Sequence, residues 1–427
     1  MKKKEPKTTR RSISVFHQIV QHISPGLIER LARDEPVKAR AFSYASHVLS
    51  LVLGHITHAF SLNELCDAMA VHAREACRVR GMAPAKRNTL SNANRTRAPA
   101  VAERLYWKVR DSLAAREAGF AFRRHTGPLA RFKDRVIAAV DSTTLQLSLS
   151  CIDWARHRRR KAAAKTHMRM DVATMLPTFA VIESAKGHDS KYAAALCEGL
   201  GDGDILLADR AYNDFAFLHA LASRGVRFVL RAKRGTLFSV ARDIRNANAP
   251  KHIIADEEVR PAGPRTAKAY PGTLRRVTAD VVVDGRTRRM VFITNSMDWS
   301  AATVVALYKA RWAVELLFKE LKQTLQLRDF YGENENAVKW QVWTALLAHL
   351  LLRFIKHLSR WRGSFSRLVG IVRSAVWMRV DLLQTLRSYG TAPPPETRPE
   401  DPRCPYLPGL RDFLANPVGQ QTRQKHA

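Results

Sequence analysis

The feature that most constrains the fold is a change of hydrophobic period partway along the chain. From residue 12 to about 125, apolar residues recur at helical spacing, in "SVFHQIVQHISPGLIERLAR", "ARAFSYASHVLSLVLGHI", "SLNELCDAMAVHAREA" and "PAVAERLYWKVRDSL". Ser61 and Glu64 open the third of these as a capping box. From residue 136 the period falls to two. "RVIAAVDSTTLQLS", "AKTHMRMDVATM" and "LPTFAVIESA" read as three successive strands, in a meander or a pair of hairpins. A helix "KYAAALCEGL", a buried strand "DILLAD", a helix "DFAFLHALASRG" and a strand "VRFVLRA" follow, giving the order β-β-β-α-β-α-β. Alternating strands fill 236–296 as an inserted β subdomain. Beyond 335 the chain is helical again, strongest in "AVKWQVWTALLAHLLLRFIKHL", before a Pro-rich end.

Between the insertion and that last helical region, "YKARWAVELLFKELKQTLQL" (308–327) predicts one amphipathic helix. At about 100° per residue, Tyr308, Arg311, Glu315 and Lys322 share a narrow stripe that borders the apolar arc of Val314, Leu317, Phe318, Leu321 and Leu325. Taken alone, this stripe reads better as a solvated helix edge carrying an Arg311–Glu315 pair. Trp312 points about 100° away from Arg311 and is expected in the core. Trp340 and Trp343 are expected there too, with Trp299 more a packing than a stacking residue.

Two aspartates stand where apolar strands end: Asp141 after "VIAAV" and Asp209 after "DILLA". An ionised carboxylate there must be solvated, paired or metal-bound. Either aspartate alone also reads as the start of a turn. If the first and fourth strands are neighbours, Asp141, Asp209 and the helix-borne Glu315 supply oxygen ligands for two hard cations such as Mg²⁺. That chemistry is in-line attack at a phosphodiester. Arg311 and Lys322 would then hold strand phosphates beside the metals, and the Tyr308 phenol would hydrogen-bond one of those phosphates.

Charge supplies the matching partner. Lys and Arg total 71 against 38 Asp and Glu, a formal net charge of +33. A polyanion, nucleic acid first, is the expected ligand, and a neutral sugar bound between paired carboxylates is not. The run "WARHRRRKAAAK", with Arg158, Arg159, Arg160 and Lys161, fits DNA backbone near the first aspartate strand or a merely solvated face. "MAPAKRNTLSNANRTR" suits phosphate contact from a loop between helices, or an ordinary polar connection. His167 and Asp171 share a strand face without requiring a metal, and His188 adds little to that case. The five cysteines show no metal-ligand or disulfide spacing, and the apolar runs are too short and too charged for a membrane span. The sequence thus reads as that of a cytoplasmic protein.

With these residues in place, the chain resembles the DDE transposases of bacterial insertion sequences, specifically the insertion-sequence-four family. The signature Y-x2-R-x3-E-x6-K falls on Tyr308, Arg311, Glu315 and Lys322. "DSTTLQLS" is similar to the family's first-aspartate strand and "LLADRAYND" to its second, with Ala211 where glycine is more usual. The resemblance covers roughly residues 12–350. It implies an α/β fold with an RNase H-like catalytic core, a β-rich insertion, an all-α N-terminal domain and a helical C-terminal region.

On that basis the expected layout is a basic disordered tail (1–11), a helical DNA-binding domain (12–125), a core in two parts (130–235 and 297–335) around the insertion (236–296), a helical region (336–390) and a Pro-rich tail (391–427). The resemblance also implies a catalytic and metal-binding triad of Asp141, Asp209 and Glu315, and two Mg²⁺ ions, with Mn²⁺ as a substitute. Its implied partners are double-stranded DNA, as element terminal repeats and target, and a second copy in a homodimeric synaptic complex in the bacterial nucleoid. A nuclease without strand transfer and a catalytically silent DNA-binding regulator are the alternatives.

Overall fold

The computed structural model describes residues 12–391, apart from 37–40, 122–124, 126, 134, 148–155, 159–160, 185–191, 284, 326, 328–330 and 333. The expected tail at 1–11, nearly all of the tail at 391–427, His188, Arg159 and Arg160 lie outside the described residues.

The leader forms α1 (Val15–Val20), α2 (Leu27–Leu31), α3 (Tyr44–Thr57), α4 (Leu62–Val71), α5 (Ala73–Arg78), α6 (Arg87–Thr96) and α7 (Ala100–Arg116). Ser61 caps α4 by accepting from the Glu64 N–H at 3.2 Å, and the Glu64 carboxylate takes the Phe60 N–H at 2.8 Å. One expectation fails here: "RNTLSNANRT" is helix α6, not a loop. Leu90, Ala93 and Asn94 form its buried stripe, and only two of the three are apolar, so the helical period is faint. Asn94 is held inside by His47, Nε2 to Oδ1 2.8 Å.

These helices close around the long helix Glu335–Ser359, most of whose side chains are buried. His55 of α3 bonds the carbonyls of Leu325 and Gln341 at 3.0 and 3.1 Å, and the Trp340 indole donates to Arg97 O at 3.0 Å. The leader and the C-terminal helices therefore share one hydrophobic core. Among the described residues no helix is long and apolar enough to cross a membrane.

The strands are β1 (Ile137–Leu147), β2 (Arg156–Arg158), β3 (Lys161–Asp171), β4 (Leu176–Ser184), β5 (Ile205–Ala208), β6 (Arg227–Arg231), β7 (Phe238–Asp243), β8 (Ile253–Pro261), β9 (Leu274–Val283) and β10 (Arg286–Thr294). They form a single mixed sheet in the order β2-β3-β1-β5-β6-β10-β9-β8-β7, with β4 also pairing β3. β1 pairs antiparallel with β3 and parallel with β5, and β5 is parallel to β6. The 238–294 strands extend this sheet through β10, which pairs with β6. The buried Arg275–Asp256 pair, two bonds of 2.7 Å, ties β9 to β8, and Arg275 also donates to the Met297 and Trp299 carbonyls. The strands β8 and β9 are thereby fixed to the segment that leads into the next helix.

Candidate active site

Strand register brings the two aspartates together. Parallel β1 and β5 pair Ile137 with Ile205 and continue in step to Val140 with Ala208, so the next residues in line are Asp141 and Asp209. Alternation then sets their direction. Ile137, Ala139, Ile205 and Leu207 face the larger core, while Ala138, Val140, Leu206 and Ala208 face the smaller one on the other side of the sheet. Both aspartates continue the first set, where the apolar runs end.

That face is covered by the helix Ala301–Ala310, capped by Ser300, whose hydroxyl accepts from the Thr303 N–H at 3.1 Å. Tyr308 is buried near its end with its ring 4.7 Å from that of Phe292, and its hydroxyl donates to Asp209 Oδ1 at 3.4 Å. The single helix expected over 308–327 is interrupted. A second helix runs Trp312–Lys319 and a π-helical turn runs Glu320–Thr324.

The first break is local tightening around Arg311: its N–H bonds Tyr308 O, and its carbonyl takes the Val314 N–H, both at 3.1 Å. The second comes from Glu320, which is buried and accepts from His349 at 2.8 Å and Arg353 at 2.7 Å on the neighbouring long helix. The Leu325 N–H reaches back five residues to Glu320 O. Nothing in the sequence near Glu320 signals this cluster, because its partners lie a helix away.

Arg311 is the hub. It is only 5% exposed, and it donates to Asp141 Oδ2 at 3.2 Å through Nη1 and to Glu315 Oε1 at 2.5 Å through Nη2. Its guanidinium also lies over the Tyr308 ring at 5.4 Å, and its buried Nε has no hydrogen-bond partner. The 308–322 stripe is therefore not a solvated edge, although Glu315 itself remains about half exposed. Lys322 donates through Nζ to Thr144 O of β1 at 2.8 Å. Arg158 of β2 pairs in register with Lys161 of β3. Trp340 and Trp343 are buried as expected, Trp299 nearly so, but Trp312 is only half-buried. His167 bonds Glu183 at 2.9 Å, and Asp171 accepts the Ala173 N–H in a turn, so each has a structural partner.

Burial pushes the Asp141 carboxyl up to about 6. Arg311 and the Ser142 N–H, 2.8 Å from Oδ1, hold it down, while Glu315 and Asp209 add to the rise. Burial likewise raises the Tyr308 phenol. Burial opposes the Arg311 charge, but Tyr308, Asp141 and Glu315 outweigh it and hold the guanidinium protonated. Among the described residues no group of three Asp, Glu, His or Cys side chains is arranged to hold a metal ion. The Arg311 guanidinium occupies the space between Asp141 and Glu315.

Asp141, Asp209 and Glu315 thus form an acidic group on a mixed α/β sheet, in a chain of net charge +33. Residues 132–351 match the family described as Transposase DDE domain, and residues 11–78 match a Domain of unknown function (DUF4372). The chain is 31% identical over 274 residues to "Putative transposase y4zB" of Sinorhizobium fredii, covering 63% of this chain and 73% of that one. It is 26% identical over 220 residues to transposase InsG for insertion sequence element IS4 of Escherichia coli, covering 48% of each. A piggyBac transposase synaptic complex with hairpin DNA, seen by cryo-EM, is similar at 11% identity and a TM-score of 0.42, over 96% of this chain and 85% of that one, too slight a likeness to define a shared fold. This chain belongs to the DDE transposases, in the family of insertion sequence element IS4.

Proposed function

We propose that this transposase binds the terminal inverted repeats of its insertion sequence, cleaves at the element ends and joins the freed 3′-OH strands to target DNA, with Asp141, Asp209 and Glu315 as catalytic carboxylates. The observation that carries this reading is the register that sets Asp141, inside β1, beside Asp209, just past the end of parallel β5, under the helix pair that bears Arg311 and Glu315. The sheet order β4-β3-β1-β5-β6, with β4, β3 and β1 antiparallel to one another in turn and β1, β5 and β6 parallel, supports an RNase H-like core over 130–235 and 297–335.

The chemistry of the donor set suits hard dications, which would have to displace Arg311 from between Asp141 and Glu315. All three side chains offer carboxylate oxygens, the ligand type such ions take. Asp141, Asp209 and Glu315 would hold Mg²⁺ or Mn²⁺, two ions in all, which would supply activation of the attacking oxygen and stabilisation of the leaving one. Arg311 supplies the charge that keeps Asp141 and Glu315 together, and can transfer its free donors to a strand phosphate. Tyr308 fixes Asp209. Lys322, with Arg158, Arg159, Arg160 and Lys161, engages DNA backbone. At the element end, a water oxygen bonds to phosphorus as the bond to the 3′-oxygen breaks, leaving a 3′-hydroxyl. That hydroxyl then attacks a target phosphorus, and the target's 3′-oxygen leaves. Two DNA ends call for a homodimeric synapse, acting at the bacterial nucleoid in the cytoplasm.

The test is labelled DNA carrying the flanking terminal repeats, incubated with the protein in Mg²⁺ or in EDTA. Metal-dependent cutting with a joined product supports strand transfer. Cutting without joining reduces the protein to a nuclease, and sequence-specific binding without cutting to a silent regulator.

A further inference from the structure

We propose that α6 is the element that reads DNA sequence, with its exposed face laid in the major groove of the element's terminal repeat. This rests on the transposase reading above and names the surface that would choose the DNA.

The argument begins with composition. α6 reads RNTLSNANRT and follows Lys86, with no acidic residue. Its neighbours in the leader do carry acids: α4 has Glu64 and Asp67, and α7 has Glu103 and Asp111. Six of the ten α6 residues, Asn88, Thr89, Ser91, Asn92, Asn94 and Thr96, are poor helix formers, each costing about 0.5 kcal/mol relative to alanine. A face kept only for solubility would carry Glu, Lys or Ala at less cost. Folding accounts for Leu90, Ala93 and Asn94, which are buried. It does not account for the exposed side chains Lys86, Arg87, Asn88, Thr89, Asn92 and Arg95.

Their bonding state points the same way. Among the described residues, Lys86, Arg87, Asn88 and Thr89 make no side-chain hydrogen bond or ion pair. Arg95 donates to Asn92 Oδ1 at 3.0 Å, which aligns a guanidinium and an amide side by side on the surface. Arginine paired to the O6/N7 edge of guanine, and asparagine to the N6/N7 edge of adenine, are the side-chain matches that distinguish base pairs in the major groove. A helix about 10–12 Å across fits a groove about 12 Å wide.

A second surface feature adjoins it. Phe60, 60% exposed, lines with Asn63, Arg87, Ser91 and Arg95 a hollow of about 570 Å³ beside α6. An exposed ring among arginines gives a thymine methyl an apolar contact at the edge of the same footprint.

The experiment uses the full chain and two DNA duplexes, one carrying the element's end and one with that sequence scrambled, at physiological salt. Asn88→Ala, Asn92→Ala and Arg95→Ala are compared with wild type by fluorescence anisotropy, and circular dichroism confirms folding. The expected result is a loss of preference for the element end of roughly 5–150-fold per base-reading residue, with affinity for scrambled DNA little changed. Variants that keep the wild-type preference overturn the proposal and leave the transposase reading intact. An equal loss on both duplexes also overturns it, because α6 would then hold only phosphates. A wild-type protein with neither preference for the ends nor metal-dependent cutting would instead remove the transposase reading itself.

Discussion

Arg311 donates to Asp141 Oδ2 at 3.2 Å from the helical side of the sheet, so a carboxylate that burial would otherwise neutralise is held by a buried cation. The pair joins the first aspartate strand to the helix that carries Glu315, and it is where the chemistry proposed for this protein is most open to perturbation.

Removing that cation has a defined sign. Arg311 lowers the Asp141 pKa, so Arg311→Ala moves it further above about 6. If catalysis requires ionised Asp141, the acidic limb of the cleavage pH–rate profile shifts to higher pH and the rate at neutral pH falls. A bound dication draws both limbs downward, so the comparison is made at one metal concentration. Wild-type activity with an unmoved limb would return Arg311 to a purely structural role.

Two buried histidines predict acid sensitivity of the fold. Burial lowers the pKa of His47 to about 3 and of His55 to about 4, against an ordinary value of 6.5. Below pH 6.5 the unfolded chain takes up protons that the folded chain refuses, so both stabilise the fold above 6.5 and lose that contribution as pH falls toward 4 and then 3. Asp141 acts in the opposite direction, because its destabilising charge disappears as pH drops through about 6. Urea midpoints between pH 7.5 and 4.5 should therefore decline, and the decline should lessen in His55→Gln. A flat profile would contradict the buried neutral state.

The Arg275–Asp256 pair predicts a strong mechanical dependence within the sheet. Both side chains are 5% exposed, and Arg275→Ala strands a buried carboxylate, at a cost of about 3–5 kcal/mol. Arg289 and Asp280 form a comparable contact at 3.0 Å with the arginine side chain 61% exposed, and Arg289→Ala should leave the thermal midpoint nearly unchanged. Equal effects of the two substitutions would mean that the buried pair is compensated elsewhere.

Legibility in the sequence followed from how local each signal was. Asp141 and Asp209 could be read from the apolar runs before them, and Tyr308, Arg311, Glu315 and Lys322 from a spacing that survives even though the helix holding them is broken. What the sequence hid was set at a distance. The π-turn at Glu320 depends on His349 and Arg353, and the inward turn of Arg311 depends on Asp141, 170 residues earlier. α6 escaped because a helix whose buried stripe includes an asparagine and whose other face is Asn, Thr and Ser carries the composition of a loop.

The most direct test of the central claim is a side-by-side measurement of binding and cleavage for Asp141→Asn, Asp209→Asn and Glu315→Gln on labelled element-end DNA with Mg²⁺. If the three carboxylates are the reaction centre of a basic DNA-binding protein, each variant binds the DNA with near wild-type affinity, since that rests on distributed phosphate contacts, and cleaves it slower by about 10³-fold or more. Substantial cleavage by any one of them, or loss of DNA binding by all three in folded protein, would contradict the assignment.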